Sequence, residues 1–115
     1  MKAVHFPRSW LRKLIEQAKS RDIEWAVTED DLWDTWMRQR GVCPLSGLQL
    51  VIDKDWKKMT ASVDRMDSSQ GYVIGNVWFI HKHINMMKYK FGLDYFVDLC
   101  CKVAANRLES RPVIE

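Results

Sequence analysis

Apolar residues recur along this chain in two periods, and the switch between them marks its elements. From Ser9 to Arg21 the apolar positions Trp10, Leu11, Leu14, Ile15 and Ala18 share one face at helical spacing, which predicts a first amphipathic helix. In "DIEWAV", Ile23, Trp25 and Val27 alternate with polar neighbours, the period of a short extended segment. Thr28 and Asp31 then resemble a capping box, and acidic residues fill the following turn, where the positive end of a helix dipole favours them. Leu32, Trp33, Trp36 and Met37 form the expected buried stripe of that second helix, with Gly41 as its stop.

Beyond Gly41 the period drops to two. "CPLSGLQLVI" reads as a turn and then a strand with Leu48, Leu50 and Ile52 inward, and "DKDWKK" as a polar connection. "MTASVDRM" alternates again, placing Ala61 and Val63 on one side and Ser62 and Asp64 on the other. "DSSQGY" carries turn chemistry, with Gly71 expected to use its freedom to take positive φ. "NVWFI" reads as a buried strand, and "HKHINMMKYK" returns to helical spacing. After Gly92 a last helix is expected over about 94–108, with Phe96, Leu99, Cys100, Val103 and Ala104 on its apolar face. "SRPVIE" reads as a frayed tail. These elements make an α+β domain spanning residues 1–115: a helical lead-in over 9–41, a hairpin-and-helix core over about 59–90, and a closing helix.

Composition narrows the class. The chain has 115 residues, 47% hydrophobic and 29% charged, and no apolar run near the ~20 residues of a membrane span. No membrane partner is therefore expected, and the N-terminus lacks the apolar core of a secretory leader, which points to the inside of the cell. Six tryptophans suggest a core built on large aromatic anchors. The three cysteines, Cys43, Cys100 and Cys101, make a poor disulfide framework and read as reduced thiols, Cys100 and Cys101 as small buried hydrophobes. Cys43 in "CPLSG" resembles half of a zinc knuckle, but Ser46 stands where a second cysteine would be, so no structural zinc is expected. The net charge of +3 is compatible with nucleic acid without demanding it; Lys54, Lys57 and Lys58 precede the core, and Lys82, Lys88 and Lys90 follow its second strand.

The chemistry concentrates in "SVDRMDSSQGYVIGNVWFIHKHINMMK", residues 62–88. A hairpin folded onto its own helix can bring Asp64, at a strand end, close to Asn85. A carboxylate and an amide oxygen are hard ligands suited to Mg²⁺ or Mn²⁺. His81 lies four residues before Asn85, on the same face if the helix has begun, and could ligate metal or handle a proton. A plainer reading stands beside this one: Asp64 and Asp67 capping the "DSSQG" turn, Asn76 as a turn residue after Gly75, and His83 as an exposed polar side chain.

This stretch resembles the small phage and bacterial members of the HNH endonuclease superfamily, whose core is the ββα-metal fold. The lead-in "AKSRDIEWAVTEDDLWDTWMRQRGVCPLSGLQL" and the closing "LDYFVDLCCKVA" are similar to the flanks of those proteins, so the resemblance covers about residues 10–105. It implies metal-dependent hydrolysis of DNA phosphodiester bonds, with Asp64 and Asn85 holding Mg²⁺ or Mn²⁺ and His81 as a third ligand or base. Asn76 corresponds to the residue that orients the family's base. That base is a histidine following the Asp in many members; here the position is Arg65, which cannot accept a proton at neutral pH and is suited to clamping a phosphate. Lys57, Lys58, Lys82 and Lys88 would contact the backbone of double-stranded DNA. The rival expectation is a catalytically weak or inactive HNH-fold module that binds DNA or a phage packaging or replication protein. A bacterial or phage-infected cytoplasm is the location the resemblance implies.

Overall fold

The structure, a computed structural model, describes residues 5–109. Four helices and one two-stranded antiparallel sheet follow in the order α1 (Arg8–Ser20), α2 (Glu29–Gln39), β1 (Ala61–Arg65), β2 (Val77–His81), α3 (Lys82–Lys88) and α4 (Leu93–Glu109). The fold class is mixed α and β, with the sheet flanked in sequence by helices on both sides. The tail "SRPVIE" lies outside the described residues. No helix among them is long and apolar enough to cross a membrane.

Local chemistry explains the helix starts. Thr28 accepts a hydrogen bond from the Asp31 backbone N–H, and the Asp31 carboxylate accepts one from the Thr28 N–H, which completes the capping box. The last turn of α2 closes with Arg40 and Gly41 both at positive φ. Leu32 is fully buried, but Met37 is 58% exposed, against the expected stripe. Thr35 and Gln39 face the sheet in its stead. The Gln39 amide donates to the Phe79 carbonyl and accepts from the Phe79 N–H, both at 2.8 Å. It thus satisfies a β2 edge that would otherwise invite another strand.

A two-stranded hairpin alone is marginal in water. Here Ala61, Val63, Val77, Phe79 and Ile80 are buried with Phe6, Leu11, Val27, Leu32, Cys43, Leu50 and Met59. Each large side chain so buried contributes roughly 1.5–3 kcal/mol. Phe6 stacks on Phe79, and Trp36 meets the same ring edge-on.

Three expectations need correction. The segment of Leu48, Leu50 and Ile52 forms no strand: Leu50 N–H bonds back to the Gly41 carbonyl and Cys43 N–H to that of Leu48, leaving one isolated bridge between Val42 and Gln49. Leu48 is accordingly exposed. Gly71 is absent from the positive-φ positions and is needed instead for close approach, because a Cβ there would lie 2.7 Å from the Cβ of Glu24. None of the residues of α4 is buried, and Cys100 and Cys101 are exposed. Phe96, Cys100 and Ala104 border a shallow apolar groove with Leu45, Ile84 and Met87, while Leu99 and Val103 face solvent.

Candidate active-site cleft

Strand register decides which side chains meet. Ala61 pairs with His81, Ser62 with Ile80, Val63 with Phe79 and Asp64 with Trp78. Ser62 and Asp64 therefore share one face and His81 lies with Ala61 on the other. On α3, Asn85 and Lys88 are three residues apart and share a face as well. The result is a two-rung ladder between strand and helix. Asn85 Nδ2 donates to Ser62 Oγ at 2.6 Å, and Lys88 Nζ sits 3.2 Å from Oδ2 and 3.3 Å from Oδ1 of Asp64.

The Asp64–Lys88 pair is buried: the two side chains are 9% and 2% exposed. Asp64 Oδ2 also accepts from Trp78 Nε1 at 2.8 Å, so the carboxylate keeps two partners inside the fold. The family resemblance places Lys88 on a DNA backbone. Its ammonium is instead committed to Asp64, because a buried carboxylate without a counter-charge would be strongly unfavourable.

Beside the ladder opens a cleft of about 530 Å³, lined by Asp64, Ser62 and Asn85 and by the cationic side chains of Arg21, Arg65, Lys82 and Lys90. Those four face one carboxylate that Lys88 already neutralises, so the cleft is suited to a polyanion. Arg21, at the end of α1, and Lys90, beyond α3, reach it from segments remote in sequence from Asp64. Arg21 was missed by sequence reasoning; its position just after a basic helix was the available signal.

The remaining residues of the expected site have other work. Arg65 Nη1 donates to the carbonyls of Ser68 and Gln70, and its guanidinium lies over the Tyr72 ring, 5.5 Å from the centroid. It braces the turn while lining the cleft. Asn76, buried, holds the same turn: Oδ1 accepts from the Asp67 N–H, and Nδ2 donates to the carbonyls of Asp67 and Gly71. Asp67 accepts from the hydroxyl and N–H of Ser69, which pull its pKa below the ordinary carboxylate range. The turn-capping reading of Asp67 and Asn76 is therefore the one the hydrogen bonds support.

His81 is the last residue of β2 and the N-cap of α3, not a residue within the helix. Its Nδ1 accepts from the His83 N–H at 3.1 Å. Its register partner is Ala61, off the Ser62–Asp64 face, and it is absent from the cleft lining. Burial, then the nearby charges of His83 and Lys82, push its pKa down. Lys82 donates to the Trp56 carbonyl at 3.0 Å and lies over that indole ring. This contact pins the 53–58 loop, with exposed Trp56, Lys57 and Lys58, beside the start of α3.

The donor set bears on the cation that the resemblance implies. Asp64 and Asn85 present hard oxygen chemistry to one cleft, and the Lys88 ammonium marks where the Asp64 carboxylate takes positive charge. These donor types are ones Mg²⁺ or Mn²⁺ accepts, but both Asp64 oxygens are already taken by Lys88 and Trp78, and no group of three or more His, Cys, Asp or Glu side chains gathers among the described residues. No family model matches the chain, and neither a curated protein nor a solved structure matches it.

Proposed function

We propose that this chain is an HNH-type, divalent-metal-dependent endonuclease acting on double-stranded DNA, with β1, β2 and α3 as its ββα core. The observation that supports it best is the convergence of Asp64, Asn85 and four cationic side chains on one cleft beside the strand–helix ladder. In this reading Asp64 and Asn85 hold Mg²⁺ or Mn²⁺, which supplies Lewis-acid stabilisation of charge at the reacting phosphate. Arg21, Arg65, Lys82 and Lys90 hold the DNA backbone, and Lys57 and Lys58 extend that contact along the 53–58 loop. These contacts position the duplex without reading its bases. Asn76 acts through the turn that carries Arg65. A bacterial or phage-infected cytoplasm, and a phage packaging or replication partner, belong to the same proposal.

His81 is not part of this mechanism, and no imidazole lines the cleft. Loss of general-base help typically slows a reaction by about 10²–10⁴-fold, so slow turnover is expected. The test is nicking of supercoiled plasmid in Mg²⁺ or Mn²⁺, with loss of product in Asp64→Ala. Failure of both metals to yield Asp64-dependent nicks rejects the enzyme.

A second reading draws on one specific observation: Arg65 and Lys88 are already engaged within the protein. A non-cutting DNA-binding module would show steeply salt-dependent binding that persists in chelator and releases no product.

A further inference from the structure

Among the residues lining the cleft, the carboxylate of Asp64 already carries a cation. We propose that the Lys88 ammonium is the resident cation of this site and competes with a divalent metal for Asp64, setting how tightly the chain can hold one. The inference rests on the reading of Asp64 and Asn85 as the metal position.

Three observations support it. The ammonium spans both Asp64 oxygens at 3.2 and 3.3 Å, with the Arg65 carbonyl at 3.5 Å. These contacts are longer than the ~2.7–2.9 Å of a strong charge-assisted bond. The Lys88 side chain is 2% exposed. A metal on Asp64 would leave that ammonium close to a dication with one carboxylate between them, and like charges in a desolvated site repel strongly. Finally, Lys88 is the last residue of α3 and is followed by Tyr89 at φ 51°. Its four-carbon stem thus leaves the chain where the helix ends, three residues beyond Asn85.

The test is calorimetric titration of the full chain with Mn²⁺, using wild type, Lys88→Met, Lys88→Gln and the double variant Asp64→Asn/Lys88→Met. Both single variants should bind Mn²⁺ at least about tenfold more tightly than wild type, and the double variant should lose that gain. Melting temperature should also rise more with Mn²⁺ in Lys88→Met than in wild type. If Lys88→Met does not fold alone, Lys88→Gln, which keeps a neutral donor for Asp64, carries the comparison. Recovery of a cooperative melt of Lys88→Met on adding Mn²⁺ then also supports competition. Equal, Asp64-dependent affinity in wild type and both single variants overturns the competition while leaving the metal site standing. Absence of binding in every variant overturns both.

Discussion

Replacing Asn76 by Ala tests whether one amide holds the turn between the strands. Asn76 is 6% exposed. Its Oδ1 accepts from the Asp67 N–H at 2.9 Å, and its Nδ2 donates to the Asp67 and Gly71 carbonyls at 3.0 and 2.9 Å. Its backbone bonds, N–H to the Val73 carbonyl and C=O from the Met66 N–H, do not depend on the side chain and remain in the alanine variant. The variant therefore removes three side-chain bonds and leaves one N–H and two carbonyls without them. At about 1 kcal/mol net per bond the loss is about 3 kcal/mol, a large part of the ~5–15 kcal/mol that holds a typical domain. Urea unfolding followed by tryptophan fluorescence should show a lower midpoint with an unchanged slope. Asn76→Asp retains the acceptor for Asp67 but sets a carboxylate against two carbonyl oxygens, so at neutral pH it should cost at least as much as Asn76→Ala. A loss below about 1 kcal/mol for Asn76→Ala, or a milder Asp variant, would refute the assignment.

Gly71→Ala should be similarly costly for a different reason. The new methyl would meet the Glu24 Cβ at 2.7 Å and the Glu24 carbonyl oxygen at 2.8 Å. Relief would pull apart the Trp25–Tyr72 bridge, in which Tyr72 N–H donates to Glu24 and Ala26 N–H to Tyr72. Overpacking of this kind costs about 1–3 kcal/mol, and an unchanged melting temperature would sink the explanation. His81 gives a pH dependence. Burial first, then His83 and Lys82, lower its folded pKa; protonation also takes the Nδ1 lone pair that receives the His83 N–H. The unfolded chain thus binds the proton more readily, so this contribution to stability is intact above the ordinary His value of ~6.5 and is lost as pH falls through and below it. Urea midpoints at pH 8 and pH 5 should diverge more for wild type than for His81→Gln, and equal divergence counts against the cap.

Much of this architecture was legible because local rules sufficed. The capping box at Thr28 and Asp31, the stripe of α1 and the alternation in β1 each follow from near neighbours. The reading of α2 went astray at Met37 because hydropathy ranks methionine above Thr35 and Gln39. In the fold the inward positions 32, 35, 36 and 39 lie on one face, and two of them are polar because they bond backbone: Thr35 to the Asp31 carbonyl, Gln39 to Phe79. The strand expected at Leu48–Ile52 failed for a non-local reason. The segment meets only the start of β1: the Val51 carbonyl accepts from the Thr60 and Ala61 N–H groups, while the Val51 N–H goes to the Thr60 hydroxyl instead of a backbone carbonyl, so no ladder continues. Gly71 was recognised as special, but its neighbour Glu24 lies far back in the chain and gives no local sign of crowding.

The site was half legible for the same reason, and strand parity accounts for the other half. Helical spacing put His81 on a face with Asn85 only on the premise that α3 had already begun at 81. The helix starts at Lys82, so the orientation of His81 is governed by its pairing with Ala61, off the Ser62–Asp64 face. The same parity brings Ser62 and Asp64 together, and their i, i+2 spacing meets the i, i+3 spacing of Asn85 and Lys88 across the strand–helix junction. A lysine with a flexible charged stem reads as solvent-facing unless a carboxylate can be placed under it, and here that carboxylate is 24 residues away. Once the register is known, both rungs follow: the neutral pair Ser62–Asn85 nearer the start of α3, and the ionic pair Asp64–Lys88 at its end. Asp64 and Asn85 thus belong to adjacent rungs with separate partners, and under the metal reading proposed above the ionic rung is the contact a cation would have to displace.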